Sequence, residues 1–166
     1  MRKVIAVLAG LVVLGAANWT IQSRERLLAD GRVVLLELAP VDPRSLIQGD
    51  YMALRFKAAD DAFGGARQES AADGRLVVKL DARGVGRFVR RDAGEPIAVD
   101  EVALRYRVRD GRVKFATNAF FFQEGHAKHY ERARFGEFRV APSGELLLTG
   151  LRGEHLDRNQ DEHTIA

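Results

Sequence analysis

Several side chains in this 166-residue chain have types and spacings that could do chemistry. Glu124, His126 and His129 stand together in EGHAKHYE. On a helix, positions i and i+3 share a face, so the two imidazoles could ligate one metal with Glu124 as a third ligand, a set that suits zinc catalysis. There is no HExxH and no second ligand pair, and His155 and His163 lie in a polar tail. Exposed helix histidines are the plainer reading, and no metal or other cofactor is expected. Asp50, Tyr51 and Arg55, in LIQGDYMALRF (46–56), could line a pocket, since Tyr51 and Arg55 fall on one face of a strand. Turn chemistry accounts for the same stretch without a ligand. Gly49 can take a positive φ, Asp50 can accept nearby backbone amides, and Met52, Leu54 and Phe56 alternate toward a core. The carboxylates Asp60 and Asp61 are neighbours in sequence, which does not aim them at one substrate bond. Arg105, Arg107, Arg109, Arg112 and Lys114 crowd the outward face of one hairpin against only Glu101 and Asp110. They read as a solvated strand face or as a contact for anionic headgroups or an acidic partner.

The elements that must position these groups are mainly strands. VVLLEL (33–38) is a short apolar run ended by Pro40 and Pro43, and 50–56 alternates as a half-buried strand. Residues 57–74 lose the alternation and read as a loop with one helical turn. RLVVKLD points Leu76, Val78 and Leu80 one way and turns near Gly84 toward GRFVRR. The clearest hairpin covers 101–116, with Val102, Leu104, Tyr106 and Val108 on one face and Asp110-Gly111 as its two-residue turn. A short helix is expected over 126–133. A last hairpin follows, with Pro142 and Gly144 suited to a type I turn. Seven to nine short strands with little helix predict a mainly β fold on the α+β margin, either an antiparallel sandwich or a partly open barrel.

The first residues differ in kind. After Arg2 and Lys3 no charge occurs from Val4 to Ile21, and 18 helical residues at about 1.5 Å each span roughly the hydrocarbon thickness of a bilayer. Trp19 sits where an interfacial anchor would. The expected organisation is a transmembrane anchor over 1–22, a linker over 23–32, a β-rich domain over 33–152 and a polar tail over 153–166. A cleaved signal peptide is the alternative for the first segment, with Gly15 and Ala17 as small residues near a cleavage site. Arg2 and Lys3 place the N-terminus inside and the body outside, although Arg24 and Arg26 follow the segment closely.

Composition narrows the function. The net charge of +3 is too small for a concentrated nucleic-acid patch, and exposed aromatics are not interleaved with the arginines, so no nucleic-acid partner is expected. Cysteine is absent, which removes disulfides, thiolate catalysis and thiolate-bound zinc.

PVDPRSLIQGDYMALRF resembles the defining segment of the GDYXXLXY family of bacterial membrane-anchored proteins. AFFFQEGHAKHYERARFGEFRVAPSGELLLTGLR is similar to that family's C-terminal pattern of an aromatic run, a Glu-Gly step, a Tyr-Glu-x-Ala-Arg segment and a closing hairpin. The matching positions include Gly49, Asp50, Tyr51, Leu54, Glu124, Gly125 and Tyr130, while Phe56 replaces the final Tyr and removes its hydroxyl. The resemblance implies a small protein in the bacterial inner membrane, single-pass, with a periplasmic body, often encoded beside a multi-pass membrane protein. It carries over no catalytic residues, so the motif positions are read as mostly structural.

DPRSLIQGDYMAL also echoes the nucleophile segment of signal peptidase-like serine proteases, with Lys79 as a candidate base. A serine nucleophile needs its base within hydrogen-bond reach, and here Ser45 follows Pro43 where the pattern needs a serine before it. The expectation is therefore a non-catalytic membrane-anchored envelope protein, an accessory or interaction module for a multi-pass membrane partner. A ligand- or metal-binding enzyme is the alternative, and a serine-lysine hydrolase relative lacking its nucleophile comes third.

Overall fold

The computed structural model describes residues 2–39, 47–48, 51–65, 72–117, 119–121, 130 and 132–156; the side chains of residues 2, 3, 5, 6, 47, 48, 51 and 52 are outside that description. Helix α1 covers Arg2–Asp30. It does not stop where the uncharged run ends, so most of the segment read as a linker is helix. Its last turn is docked: Leu27 is buried, the Gly31 amide donates to the Leu27 carbonyl at 3.0 Å, and Arg139 donates to the Gly31 carbonyl at 3.1 Å. Along its earlier turns Val7, Leu8, Leu11, Val12, Val13, Leu14 and Trp19 are exposed. Among the described residues no helix is long and apolar enough to cross a membrane, so the expected transmembrane span finds no support there.

The body is built from strands β1 (Arg32–Glu37), β2 (Ile47–Gln48), β3 (Tyr51–Ala53), β4 (Gly74–Leu80), β5 (Val85–Arg91), β6 (Glu101–Arg109), β7 (Arg112–Phe115), β8 (Ala119–Phe121), β9 (Phe135–Val140) and β10 (Leu146–Arg152), with helix α2 (Lys57–Phe63) between β3 and β4. Seven strands form one sheet in the order β10-β9-β1-β5-β4-β6-β7, and β2-β3-β8 form a second. The fold is mainly β, as its alternating sequence predicts. One feature differs from the antiparallel expectation: β1 and β5 are parallel, with Leu35 opposite Val85. The chain leaves β1 through β2, β3 and α2 before β4 and β5 bring it back beside β1, a crossover that alternation within a strand does not encode.

The large sheet nearly closes on itself. The turn joining β9 to β10 reaches the far side, where the Arg105 amide of β6 donates to the Gly144 carbonyl at 2.8 Å. The turn that does this has the expected chemistry. Pro142 and Ser143 occupy its centre, the Gly144 amide donates to the Ala141 carbonyl at 2.9 Å, and Gly144 takes φ 84°. Inside the curl, Val34, Leu36, Leu76, Val78, Leu104, Phe115 and Phe138 are buried with Leu54 and Phe56. Full burial of side chains of this size stabilises by roughly 1.5–3 kcal/mol each. The hairpin β6–β7 matches its sequence pattern: Arg109 faces Arg112 across Asp110 (φ 56°) and Gly111 (φ 69°), the two positive angles of a type I′ turn.

The stretch 57–74, expected as a loop with one helical turn, opens with the seven-residue helix α2, whose Ala58 and Phe63 are buried. Phe63 meets Tyr106 edge to face at 5.1 Å, and the Arg91 guanidinium lies over its ring at 4.4 Å. Of the helix expected over 126–133, Tyr130 is helical, residues 132–133 are not, and 126–129 and 131 lie outside the described residues.

Candidate functional site

The two motif-bearing segments meet in the small sheet. Tyr51 pairs with Phe121, Met52 with Phe120 and Ala53 with Ala119, so the first segment adds an antiparallel strand to the aromatic run. Both segments then hold the end of β1: the Ala39 amide donates to the Arg55 carbonyl and the Leu38 amide to the Arg134 carbonyl, each at 2.8 Å. Leu38 forms a bridge with Phe56. Strand β3 ends at Ala53, shorter than the expected 50–56, because the next residues serve this junction rather than a ladder.

Leu54 and Phe56 point inward as their spacing predicts, each 2% exposed. Phe56 packs edge to face on Phe115 at 5.9 Å and on Phe138 at 5.2 Å. Tyr130 is buried against Phe120, ring centroids 5.0 Å apart. Among the motif positions, these three are therefore packing residues. Gly49, Asp50, Glu124, Gly125, His126 and His129 lie outside the described residues, so the proposed ligand set and Asp50 of the proposed pocket are not placed. Tyr51 is placed by its backbone alone.

Arg55 is exposed, and one Nη donates to both carboxylate oxygens of Asp60 at 3.0 and 3.1 Å. Asp61 instead accepts from Lys57 at 2.7 Å, so the two adjacent carboxylates serve different cations. The Asp61 hydrogen bond holds the Lys57 ammonium above its ordinary range. Lys79 is 63% exposed and salt-bridged to Asp100 at 3.1 Å, which lowers the Asp100 carboxyl; an exposed, paired ammonium is a poor general base. Ser45 lies outside the described residues. Among those described, no group of three His, Cys, Asp or Glu side chains is arranged to hold a metal.

The basic hairpin is where charge concentrates. Arg105, Arg107, Arg109 and Arg112 are exposed, and Lys114 is half-buried. Arg109 donates to both oxygens of Asp73 at 3.1 and 3.2 Å, and Lys114 lies 3.5 Å from Asp110. The Asp73 carboxyl is held below its usual range, first by the Val108 amide and then by Arg109. Arg105 and Arg107 have no carboxylate bridge among the described residues. Beside them a cleft of about 230 Å³ is lined by Arg24, Arg105, Arg107, Glu145 and the apolar Ala116 and Leu147. Arg24 reaches Glu145 at 3.0 Å and so joins α1 to the β9–β10 turn. Sequence reasoning marked Arg24 only as a charge near the apolar run; no local pattern links it to a glutamate 121 positions later.

Sequence reasoning also missed Glu137, which is 3% exposed. Arg152 donates to its carboxylate through Nε and an Nη, and Thr149 Oγ1 donates to Glu137 Oε1 at 3.4 Å. This pair clamps β9 to β10 across the bulge between Leu148 and Gly150. The family model described as GDYXXLXY protein matches residues 13–151. No curated protein and no solved structure matches the chain.

Proposed function

The chain belongs to the GDYXXLXY protein family, and from that premise we propose that it is a non-catalytic, membrane-anchored envelope protein that serves a multi-pass membrane partner as an accessory or interaction module. The body sits outside the bacterial inner membrane and the N-terminus lies in the cytoplasm. The observation that carries the reading is the start of α1. It is part of a 29-residue helix, its sequence is uncharged from Val4 to Ile21, and its apolar side chains are exposed around the helix: Val7 62%, Leu11 59%, Val12 71% and Leu14 67%. A helix apolar on every side needs an apolar surrounding, either a core or a bilayer. The β core does not surround this one. Eighteen uncharged residues give about 27 Å of helix, close to a hydrocarbon slab, with Trp19 near its outer boundary.

The motif segments support an accessory role. Leu54, Phe56 and Tyr130 pack around the junction at the end of β1, and beside it Arg55 is paired with Asp60 and Lys57 with Asp61. Such groups stabilise a shape and leave recognition to the surface.

The test is crosslinking in the native membrane, mild-detergent purification of the full chain, and mass spectrometry with metal analysis of the same sample. Co-purification of one multi-pass membrane protein without stoichiometric metal is the expected result. Recovery of the chain alone with bound zinc would overturn the proposal and direct attention to Glu124, His126 and His129. Carbonate extraction tests the anchor separately: the full chain stays with the membrane, whereas a peripheral protein is released.

A further inference from the structure

We propose that the cleft between the end of α1 and the basic hairpin is a binding site for the phosphate headgroup of an anionic phospholipid. The inference rests on the anchored reading above and gives that anchor a chemical partner at the membrane surface. Charge and position carry it. Three arginines, Arg24, Arg105 and Arg107, line the cleft with one acidic residue, Glu145. Arg24 is bridged to Glu145, while Arg105 and Arg107 have no carboxylate bridge among the described residues. Guanidinium groups suit phosphate oxygens because their N–H donors are fixed in a planar fork.

The position selects a lipid over a free anion. Arg24 lies three residues beyond Ile21, about 4.5 Å along the helix axis from the end of the uncharged run. In a membrane-spanning α1 that is headgroup depth. The cleft is also built rather than incidental. The Arg105 amide is fixed to the Gly144 carbonyl, Glu145 follows directly, and its salt bridge brings Arg24 against the same turn. On the other wall Ala116 holds a left-handed φ of 44°, and Leu146 and Leu147 supply an apolar side to the cleft.

The experiment uses the full chain in bilayers of phosphatidylcholine mixed with phosphatidylglycerol, followed by mild-detergent extraction and native mass spectrometry of the lipids retained. Phosphatidylglycerol is expected at about fivefold or more above its bulk ratio, the preference that one or more interfacial arginines confer. The double variant Arg105→Gln, Arg107→Gln returns retention to the bulk ratio while its melting temperature and carbonate-resistant association stay unchanged. Bulk-ratio retention by the natural sequence, or an undiminished preference in the variant, overturns the headgroup site. If carbonate strips the natural chain from the bilayer, the anchor fails and the site with it; if the chain stays and shows no lipid preference, only the site fails. Saturable binding of inorganic phosphate without lipid preference reassigns the cleft to a free anion. Arginine-dependent crosslinking to a protein in its place reassigns it to an acidic partner.

Discussion

Gly136 lies against Cε1 of the Phe56 ring: a Cβ built at Gly136 would come within 2.8 Å of that atom and 3.1 Å of Phe138 Cε2. The closing hairpin therefore leaves room for the last aromatic residue of the GDY segment, and the two motif-bearing regions fit as a pair. Phe56 cannot easily step aside, because Phe115 and Phe138 hold its other edges. Gly136→Ala is expected to lower the unfolding free energy by about 1–3 kcal/mol through overpacking. Phe56→Ala is expected to cost about 3–5 kcal/mol by leaving a cavity. Because the two residues touch, urea unfolding of the double variant should show a loss smaller than the sum of the singles. Additive losses would mean that the contact does not couple them.

Glu137 and Arg152 form a buried pair whose removal should be asymmetric. Glu137→Ala strands Arg152, at an expected cost of about 3 kcal/mol; this is the low end for a buried pair because Arg152 keeps 24% of its side chain exposed. Replacing both residues by leucine should recover most of that loss, since neither charge is then left unpaired. Chemical denaturation of the single and double variants checks this. A double variant as unstable as Glu137→Ala would show that the strand clamp matters through its hydrogen bonds and not through charge compensation.

How much of this was legible in the sequence follows from the range of each interaction. The β6–β7 hairpin was legible to the residue, because Asp110-Gly111 and the alternation from Val102 to Val108 are local signals. Leu54 and Phe56 as core residues were legible for the same reason. The parallel pairing of β1 with β5 was not, since it depends on where a long connection returns. The Arg24–Glu145 bridge and the Glu137–Arg152 clamp were hidden as well. A charged residue at an alternating position reads as solvent-facing until the partner that covers it is known. The basic residues of the hairpin were visible as a group, but only the fold separates Arg109, tied to Asp73, from Arg105 and Arg107 in the cleft.

Acid should destabilise the fold through specific carboxylates. Asp81 Oδ1 accepts the amides of Arg83 at 2.8 Å and Val85 at 3.0 Å, and the Val85 bond is the larger cause holding its carboxyl below the ordinary range. Glu101 is lowered in the same sense, chiefly by Arg90. A carboxylate with a depressed folded value binds its proton more weakly folded than unfolded. Its stabilisation is complete above the unfolded value of about 4 and is lost as pH falls through the folded value. Urea midpoints should hold between pH 7 and 5 and fall from pH 4 to 2. Asp81→Asn should flatten part of that fall while costing little at neutral pH, because the amide oxygen still accepts. An unchanged acid slope in that variant would remove Asp81 from the account.

The closure of the large sheet turns on Gly144. Gly144 has a φ of 84°, and a Cβ there would lie 3.1 Å from the Ala103 carbonyl oxygen and 3.5 Å from the Arg105 amide nitrogen. Alanine at this position meets two separate costs. A left-handed backbone costs a non-glycine residue roughly 1–2 kcal/mol, and the new methyl group presses on β6 where the Gly144 carbonyl accepts from Arg105. Gly144→Ala should therefore destabilise by more than the backbone cost alone, with the excess localised at the closure. Hydrogen exchange separates the two. The Arg105 amide should exchange faster in the variant by more than the global loss of stability explains, while the β4–β5 amides follow the global loss. Uniform acceleration across the sheet would mean that the turn is merely strained and that the Arg105–Gly144 bond does not hold the two sides together.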